Sequence, residues 1–162
     1  MSEDYKKKFH KRLSVEEVEE GNTLSPKFDE NGLIPCVPTD SKTNEVLMVG
    51  YMNAEALVKT IESGEAFYFS RSRQVVWHKG QTSGLTQKIK EIRIDDDQDS
   101  IWLAVDVGGL GASCHVGYKS CFYRSIPSEN QINLDLKLKW KEKEKVFDPV
   151  EVYGNTPNPT KL

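Results

Sequence analysis

The stretch from Ile94 to Arg124, IDDDQDSIWLAVDVGGLGASCHVGYKSCFYR, holds most of the chain's metal-capable chemistry, and the remainder reads as scaffold and substrate wall around it. Asp95, Asp96, Asp97 and Asp99 fall close together, and Cys114, His115 and Cys121 follow further on. Hard oxygen donors therefore precede soft sulfur donors. If the acidic run enters or leaves a strand, side chains alternate, so Asp95, Asp97 and Asp99 share one face and Asp96 points to the other. Three like charges on one face repel unless a cation lies among them, and an all-oxygen cluster suits Mg²⁺, Mn²⁺ or Ca²⁺. A solvated acidic turn between two strands is the simpler alternative. The run is not an EF-hand loop, because the Gly and the distal Glu of that loop are missing.

The cysteines add a second kind of donor. Gly117-Tyr118 has the form of a two-residue hairpin loop with Gly at the first central position, as a type II′ turn requires. Counting outward, Val116 faces Lys119, His115 faces Ser120, and Cys114 faces Cys121. Directly opposed residues have Cβ atoms roughly 4.5–5.5 Å apart, which lets two thiolates grip one Zn²⁺ at about 2.3 Å each. The same geometry suits a disulfide, ranked lower because nothing marks the chain as secreted, or two inert buried thiols. His115, beside one of these cysteines, is a base, a ligand or a core residue.

The runs Tyr68–Gln87 (YFSRSRQVVWHKGQTSGLTQ), Ile92–Leu103 (IRIDDDQDSIWL) and Gly111–Arg124 (GASCHVGYKSCFYR) resemble the phosphoribosyl-AMP cyclohydrolases of histidine biosynthesis, in order and in spacing. The resemblance covers roughly residues 32–124. It implies hydrolysis of the N1–C6 bond of the adenine ring in phosphoribosyl-AMP, with Zn²⁺ and Mg²⁺, by a homodimer whose metal sites lie between subunits. The family's metal motif reads D-C-D-x-D followed by C-H-x-G-x-x-S-C-F. Here the first is Asp95-Asp96-Asp97-Gln98-Asp99, and the second is intact from Cys114 to Phe122. Carried over position by position, Asp95, Asp97 and Asp99 hold Mg²⁺, while Cys114, Cys121 and Asp96, which stands where the family has cysteine, hold Zn²⁺. His115 moves the proton. Two thiolates and a carboxylate bind zinc less tightly than three thiolates and admit Fe²⁺, Co²⁺ or Mn²⁺ more readily. In the competing arrangement Asp96 joins the neighbouring carboxylates, and His115 or water completes the sulfur site.

The segment between residues 66 and 87 supplies the substrate wall. Residues 66–76 suit one strand with Phe67 and Phe69 facing the core, followed by a loop of small hydroxyls, glycines and cations. Taken alone this loop reads as a flexible polar connection. With the resemblance, Arg71, Arg73, Lys79, Thr82 and Ser83 become candidates for holding the substrate's two phosphates. Trp77 either stacks on the purine or packs in the core.

At 162 residues the chain is read as one domain, large enough to bury a core. Its net charge of −3 and pI near 5.7 leave no broad basic surface for nucleic acid or an anionic membrane. Three widely spaced cysteines argue against a disulfide scaffold, and no apolar run approaches membrane-spanning length. The opening MSEDYKKKFHKR leads into an acidic polar stretch rather than an apolar core, so a cytoplasmic location is expected.

Residues 1–31 read as an N-terminal extension. Within it Ser14-Val-Glu-Glu17 opens a short helix that stops at Gly21-Asn22, and the lysines at 6–8 form a solvated face. Residues 32–126 form the catalytic domain. Leu33–Met52 is a hairpin around a turn at Pro38–Glu45, and Cys36 is a structural thiol lacking a metal partner in sequence. The zinc-deaminase signature P-C-x-x-C is absent. Asn53 caps a helix with an apolar stripe of Leu57, Val58 and Ile61, closed by Gly64, and Gln87 begins the strand that carries the acidic run. Residues 127–162 form a tail in which Ile132, Leu134, Leu136, Leu138 and Trp140 alternate with polar residues as in an amphipathic strand. KEKEK then reads as solvated linker, and GNTPNPTKL as disordered.

The expected architecture is an α+β domain, mainly antiparallel sheet with one principal helix, in an intertwined homodimer. The expected ligands are a small nucleotide, Zn²⁺ or another transition metal, and Mg²⁺. Two other functions fit the residues: a hydrolase acting on another modified purine nucleotide, or a non-catalytic metal-binding paralogue.

Overall fold

The computed structural model describes residues 2–162. In chain order the elements are α1 (Ser2–Lys6), α2 (Val15–Glu20), β1 (Ile34–Asp40), β2 (Gly50–Met52), α3 (Ala54–Ser63), β3 (Phe67–Ser70) and β4 (Val75–His78). There follow β5 (Gln87–Ile94), β6 (Ile101–Val107), β7 (Arg124–Ser125), β8 (Lys139–Trp140) and α4 (Pro149–Tyr153). The class is α+β, with α3 the longest helix described.

Strict alternation on β6 organises the core. Ile101, Leu103 and Val105 are buried, while Trp102, Ala104 and Asp106 take the other face. β6 is central in a four-stranded sheet of order β2-β1-β6-β5. The sheet is mixed rather than antiparallel throughout, because β1 runs parallel to β6 with Cys36 beside Ile101. The expected hairpin forms, with Ile34 opposite Met52 and Thr39 bridged to Val46. Cys36 is fully buried, and burial pushes its thiol far above the ordinary range.

α3 covers this sheet with Ala56 and Leu57, which cluster with Ile34, Met52, Tyr68 and Leu103. Its caps are those read from the sequence. The Asn53 side chain accepts from Ala56 N at 2.9 Å, and Gly64 ends the helix at φ +74°. Ile61, assigned to the buried stripe, is instead exposed, because the helix is covered on only one side.

Residues 66–76 are not one strand. They fold into the β3–β4 hairpin, with Phe67 opposite His78 and Tyr68 opposite Trp77. The core residue of β3 is Tyr68; Phe67 and Phe69 are half-buried, reversing the expected facing. The reason lies in the hydroxyl. Tyr68 Oη donates to the buried Gln87 Oε1 at 2.5 Å, so an aromatic with a polar tip is satisfied inside, while Phe67 stacks on His78 at 4.6 Å between ring centroids.

The tail also departs from expectation. Ile132 and Leu134 are 85% and 99% exposed, and only Lys139–Trp140 pairs, against β7. A period of two gives a strand only where a neighbour offers backbone partners, and here the available edge is two residues long. Beyond it Asp148 caps α4 with Pro149 in its first turn, and Phe147 is buried with Leu85 and Ala112 in a second small core. Residues 155–162 carry no helix or strand. Among the described residues no helix is long and apolar enough to cross a membrane.

Two stability predictions follow from these connections. Gly80 lies at φ +87°, and a Cβ there would sit 2.2 Å from the Thr86 backbone nitrogen; Gly80→Ala should cost about 3 kcal/mol or more in denaturant unfolding. Asp40 accepts from the amides of Lys42 and Thr43 at 2.8 and 3.1 Å and pairs with Lys119 Nζ at 3.5 Å. Burial pushes the Asp40 carboxyl upward, but these donors outweigh it and hold it below the usual range. Its contribution is therefore present above the unfolded value of about 3.9 and is lost as pH falls through the lower folded value. Asp40→Asn should cost about 1 kcal/mol at pH 7, with parent and variant converging in acid unfolding curves.

Candidate active site

The acidic run is a turn between β5 and β6, not part of a strand. Asp95 N donates to Ser100 O, Gln98 N donates to Asp95 O, and Asp95 Oδ1 accepts from the amides of Asp99 and Ser100 at 2.9 and 3.0 Å. Wrapping the chain in this way brings one oxygen each of Asp95, Asp97 and Asp99 within 4.8 Å of one another. The three expected carboxylates do meet, but through a turn and not through alternation. Their all-oxygen donor set fits a hard divalent cation. Asp96 is exposed and stands outside that trio.

The cysteine loop follows β6 and is tied to Val46 and Leu47, in the segment between β1 and β2. Cys121 N donates to Leu47 O at 2.7 Å, and Ser120 Oγ donates to Val46 O at 2.7 Å. The expected hairpin register is not the one found. Ser113 N bonds to Lys119 O and Cys114 N to Tyr118 O, with the turn closed by Gly117 N on Cys114 O. Gly117 adopts φ +110°, and a Cβ there would lie 2.4 Å from Phe147 O, so tail packing selects this turn. The two thiols nevertheless meet, because Cys121 folds back onto Cys114 from an irregular stretch instead of facing it across a ladder. Their mutual hydrogen bond, aided by the Val116 and Tyr118 amides and by Lys79 and opposed by burial, pulls the Cys114 thiol down to about 6. The same bond and burial push Cys121 upward, so one thiol loses its proton readily while the other shares it.

Lys79 is placed beneath this loop, 7% exposed, with Nζ donating to Ser113 O at 2.7 Å. Burial lowers its ammonium pKa, and the two cysteines oppose that fall. Under the same residue Gln87 Nε2 reaches Ser113 Oγ at 3.3 Å, completing a buried polar path from Tyr68. His115 is half-buried, and its Nε2 is shielded from solvent with no hydrogen-bond partner among the described residues. Burial draws its pKa below the ordinary imidazole value despite the Asn158 side chain beside it.

The remaining substrate candidates line the β3–β4 hairpin and the loop after it. Arg71 lies over the Tyr51 ring at 4.1 Å, and Arg73 stands 5.9 Å from the Trp77 ring with its Nε on Ser70 Oγ. Both are exposed, whereas Trp77 is half-buried and tilted against Tyr68 at 5.6 Å. Thr82 is exposed, and Ser83 Oγ accepts from Leu85 N at 3.2 Å.

Sequence reasoning missed Glu142. It lies in the KEKEK run assigned to solvent, yet its two carboxylate oxygens each accept an amide of the cysteine loop, from Lys119 and Ser120, at 3.0 Å. Nothing in the local pattern distinguishes this glutamate from its neighbour Glu144. It also missed Gln98, whose position among aspartates disguised its burial.

The phosphoribosyl-AMP cyclohydrolase family model matches residues 48–123. The chain is 55% identical over 138 residues to the phosphoribosyl-AMP cyclohydrolase of Rhodopseudomonas palustris strain BisA53, covering 85% of this chain and 92% of that one. Against the proteins of that name from Bradyrhizobium diazoefficiens and Sinorhizobium fredii it is 50% identical over 137 residues and 49% over 138, spanning 94% and 89% of their lengths. Aligned lengths of this size exceed residues 32–126, so the match reaches into the terminal segments as well. With this identity along nearly the full length of its relatives, the chain belongs to the phosphoribosyl-AMP cyclohydrolase family of enzymes.

Proposed function

We propose that the protein hydrolyses the N1–C6 bond of the adenine ring in phosphoribosyl-AMP, a step of histidine biosynthesis, as a cytoplasmic homodimer with composite metal sites. One observation carries the quaternary part. The acidic turn precedes β6 and the cysteine loop follows it, so the two groups of donors leave opposite ends of one seven-residue strand. Within one subunit the thiol pair belongs to no cluster of three or more metal-capable donors among the described residues. A second copy placing its acidic turn against the cysteine loop supplies what is missing, Asp96 included. Zinc then takes Cys114, Cys121 and Asp96, and Mg²⁺ takes Asp95, Asp97 and Asp99.

The chain's own groups divide the chemistry. Ribosylation at N1 makes the purine cationic and C6 electrophilic. Water adds at C6, the C6–N1 bond breaks, and N1 leaves with a proton. Zinc contributes by bringing the pKa of a bound water to about 7. His115 is the residue that receives the proton of the attacking water and returns one to N1; its lowered pKa keeps the ring neutral and able to accept. Arg71, Arg73, Thr82 and Ser83 bind the two phosphates from the open side of the hairpin, and Trp77 borders the purine. Lys79, buried under the cysteine loop, acts on the thiolates instead of reaching a phosphate in solvent.

The deciding experiment is turnover of phosphoribosyl-AMP followed at the absorbance of the opened product. Cys114→Ala or Cys121→Ala should lose zinc and activity together; either variant turning over at the parent rate refutes the assignment. Asp96→Cys should give an active enzyme with higher zinc affinity and greater resistance to chelator, whereas Asp96→Ala should lose metal from the cysteine site. Metal titrations in which both Asp96 variants bind zinc like the parent would remove it from the ligand set.

A further inference from the structure

The acidic turn is held from outside by the N-terminal segment. Gln98, between Asp97 and Asp99, lies at φ +58° with its side chain 5% exposed. Its amide is fully engaged: Oε1 accepts from Ser25 N at 2.9 Å, and Nε2 donates to Val18 O at 3.0 Å and Thr23 O at 3.2 Å. Its own carbonyl accepts from Lys27 N at 2.7 Å. Arg12 adds a second tie, with one guanidinium nitrogen on Ser25 O at 2.7 Å and another on Asp97 O at 2.8 Å. The strap includes α2, capped by Ser14 and seated through the buried Val18. A cleft of about 360 Å³ opens between strap and turn, with Asp95 and Asp96 on one wall and Asn22 and Leu24 on the other.

We propose that Gln98 is a positioning residue for the carboxylates of the acidic turn: through its side-chain amide the segment from Arg12 to Lys27 sets their spacing and so the affinity for a divalent cation. The inference rests on reading Asp95, Asp97 and Asp99 as the Mg²⁺ site. Three like charges within 4.8 Å drive the turn apart unless its backbone is held. Mg²⁺ demands near-ideal octahedral geometry, which a relaxed turn meets only by reordering when the ion binds. A left-handed backbone at Gln98 allows its side chain to leave the turn opposite to its acidic neighbours and enter the strap. Removing the amide should then weaken the cation by about 10- to 100-fold, the usual consequence of losing a group that orients ligands without touching the metal.

The test uses the full-length protein equilibrated with Zn²⁺, titrated with Mn²⁺ as probe and followed by the electron-spin signal of free Mn²⁺. Gln98→Gly accepts the left-handed backbone and deletes the whole side chain, amide included, while Gln98→Met keeps an unbranched side chain of similar length and removes the amide. The expected result is Mn²⁺ affinity at least about tenfold lower, the zinc content unchanged, and activity lost at low Mg²⁺ but recovered at saturating Mg²⁺. Parent-like Mn²⁺ affinity overturns the proposal, even if the melting temperature falls, because Gln98 would then serve stability alone. Asp97→Asn separates the two levels. If it binds Mn²⁺ as the parent does, the turn is not the cation site and the underlying reading fails. If it loses Mn²⁺ while Gln98→Gly does not, only the positioning role fails. Should Gln98→Gly not fold, Gln98→Met, which loses the bonds to Ser25, Val18 and Thr23 but still fills the space, decides the matter by the same measurements.

Discussion

A lysine ammonium buried beneath two thiols is the contact on which the candidate site depends. Removing an ammonium from water costs several kcal/mol even after relaxation, so Lys79 must find compensating charge or surrender its proton. Ser113 O gives it one acceptor, and Cys114, whose thiol loses its proton readily, is the anionic group at hand. The benefit is mutual. The ammonium favours the thiolate at Cys114, and thiolate, not thiol, is the form that binds metal. In the proposed site, zinc with two thiolates and one carboxylate would carry one negative charge in excess, which a single lysine would balance. The buried path Tyr68–Gln87–Ser113 fixes the loop at the height where this pairing occurs, tying the site to the centre of the core.

Each half of the site is braced by a terminal segment. The C-terminal run grips the cysteine loop by the Glu142 carboxylate and by Val146 N on Gly117 O at 2.7 Å. The N-terminal strap grips the acidic turn through Arg12 and Gln98. Between the two lies β6, a rigid spacer whose alternate residues are locked in the core. Such a frame ties the acidic turn and the cysteine loop to the core independently of each other. In the proposed dimer the exposed Phe122 and the exposed Val46, to which Ser120 bonds, belong to the face that would receive the second copy.

What the sequence revealed and what it hid divide along a physical line. Caps, turns and strict alternation over a buried face are local, so α2, α3, the β1–β2 hairpin and β5 could be read directly. The carboxylate trio and the thiol pair were also legible as groups, since motif spacing limits which side chains can meet. Their backbone geometry was not: a strand alternation and a hairpin register were expected where the chain forms an acidic turn and an offset loop. The registers went astray because distant packing decides them. Gly117 closes where Phe147 permits, and Tyr68 turns inward because Gln87, nineteen residues away, accepts its hydroxyl proton. The tail alternation from Ile132 to Trp140 misled for the converse reason, having the pattern of a strand without the neighbour.

If Asp96 is the third zinc ligand, as proposed, the carboxylate stands where the family motif has a cysteine. In the proposed arrangement the carboxylate replaces a thiolate of equal charge, so the balance with Lys79 is unchanged and no compensating residue is needed around the cysteine loop. What changes is softness. A carboxylate shares less electron density with the metal than a thiolate does, leaving the ion a stronger Lewis acid and its bound water more acidic. The shorter reach of an oxygen ligand, about 2.0–2.2 Å against about 2.3 Å for sulfur, falls within what an exposed turn residue absorbs by side-chain rotation. Asp96 is free to make that adjustment, since it lies outside the carboxylate trio and Gln98 anchors the turn two residues further on. In that arrangement charge would be conserved opposite the buried Lys79, and donor hardness would vary at an exposed position.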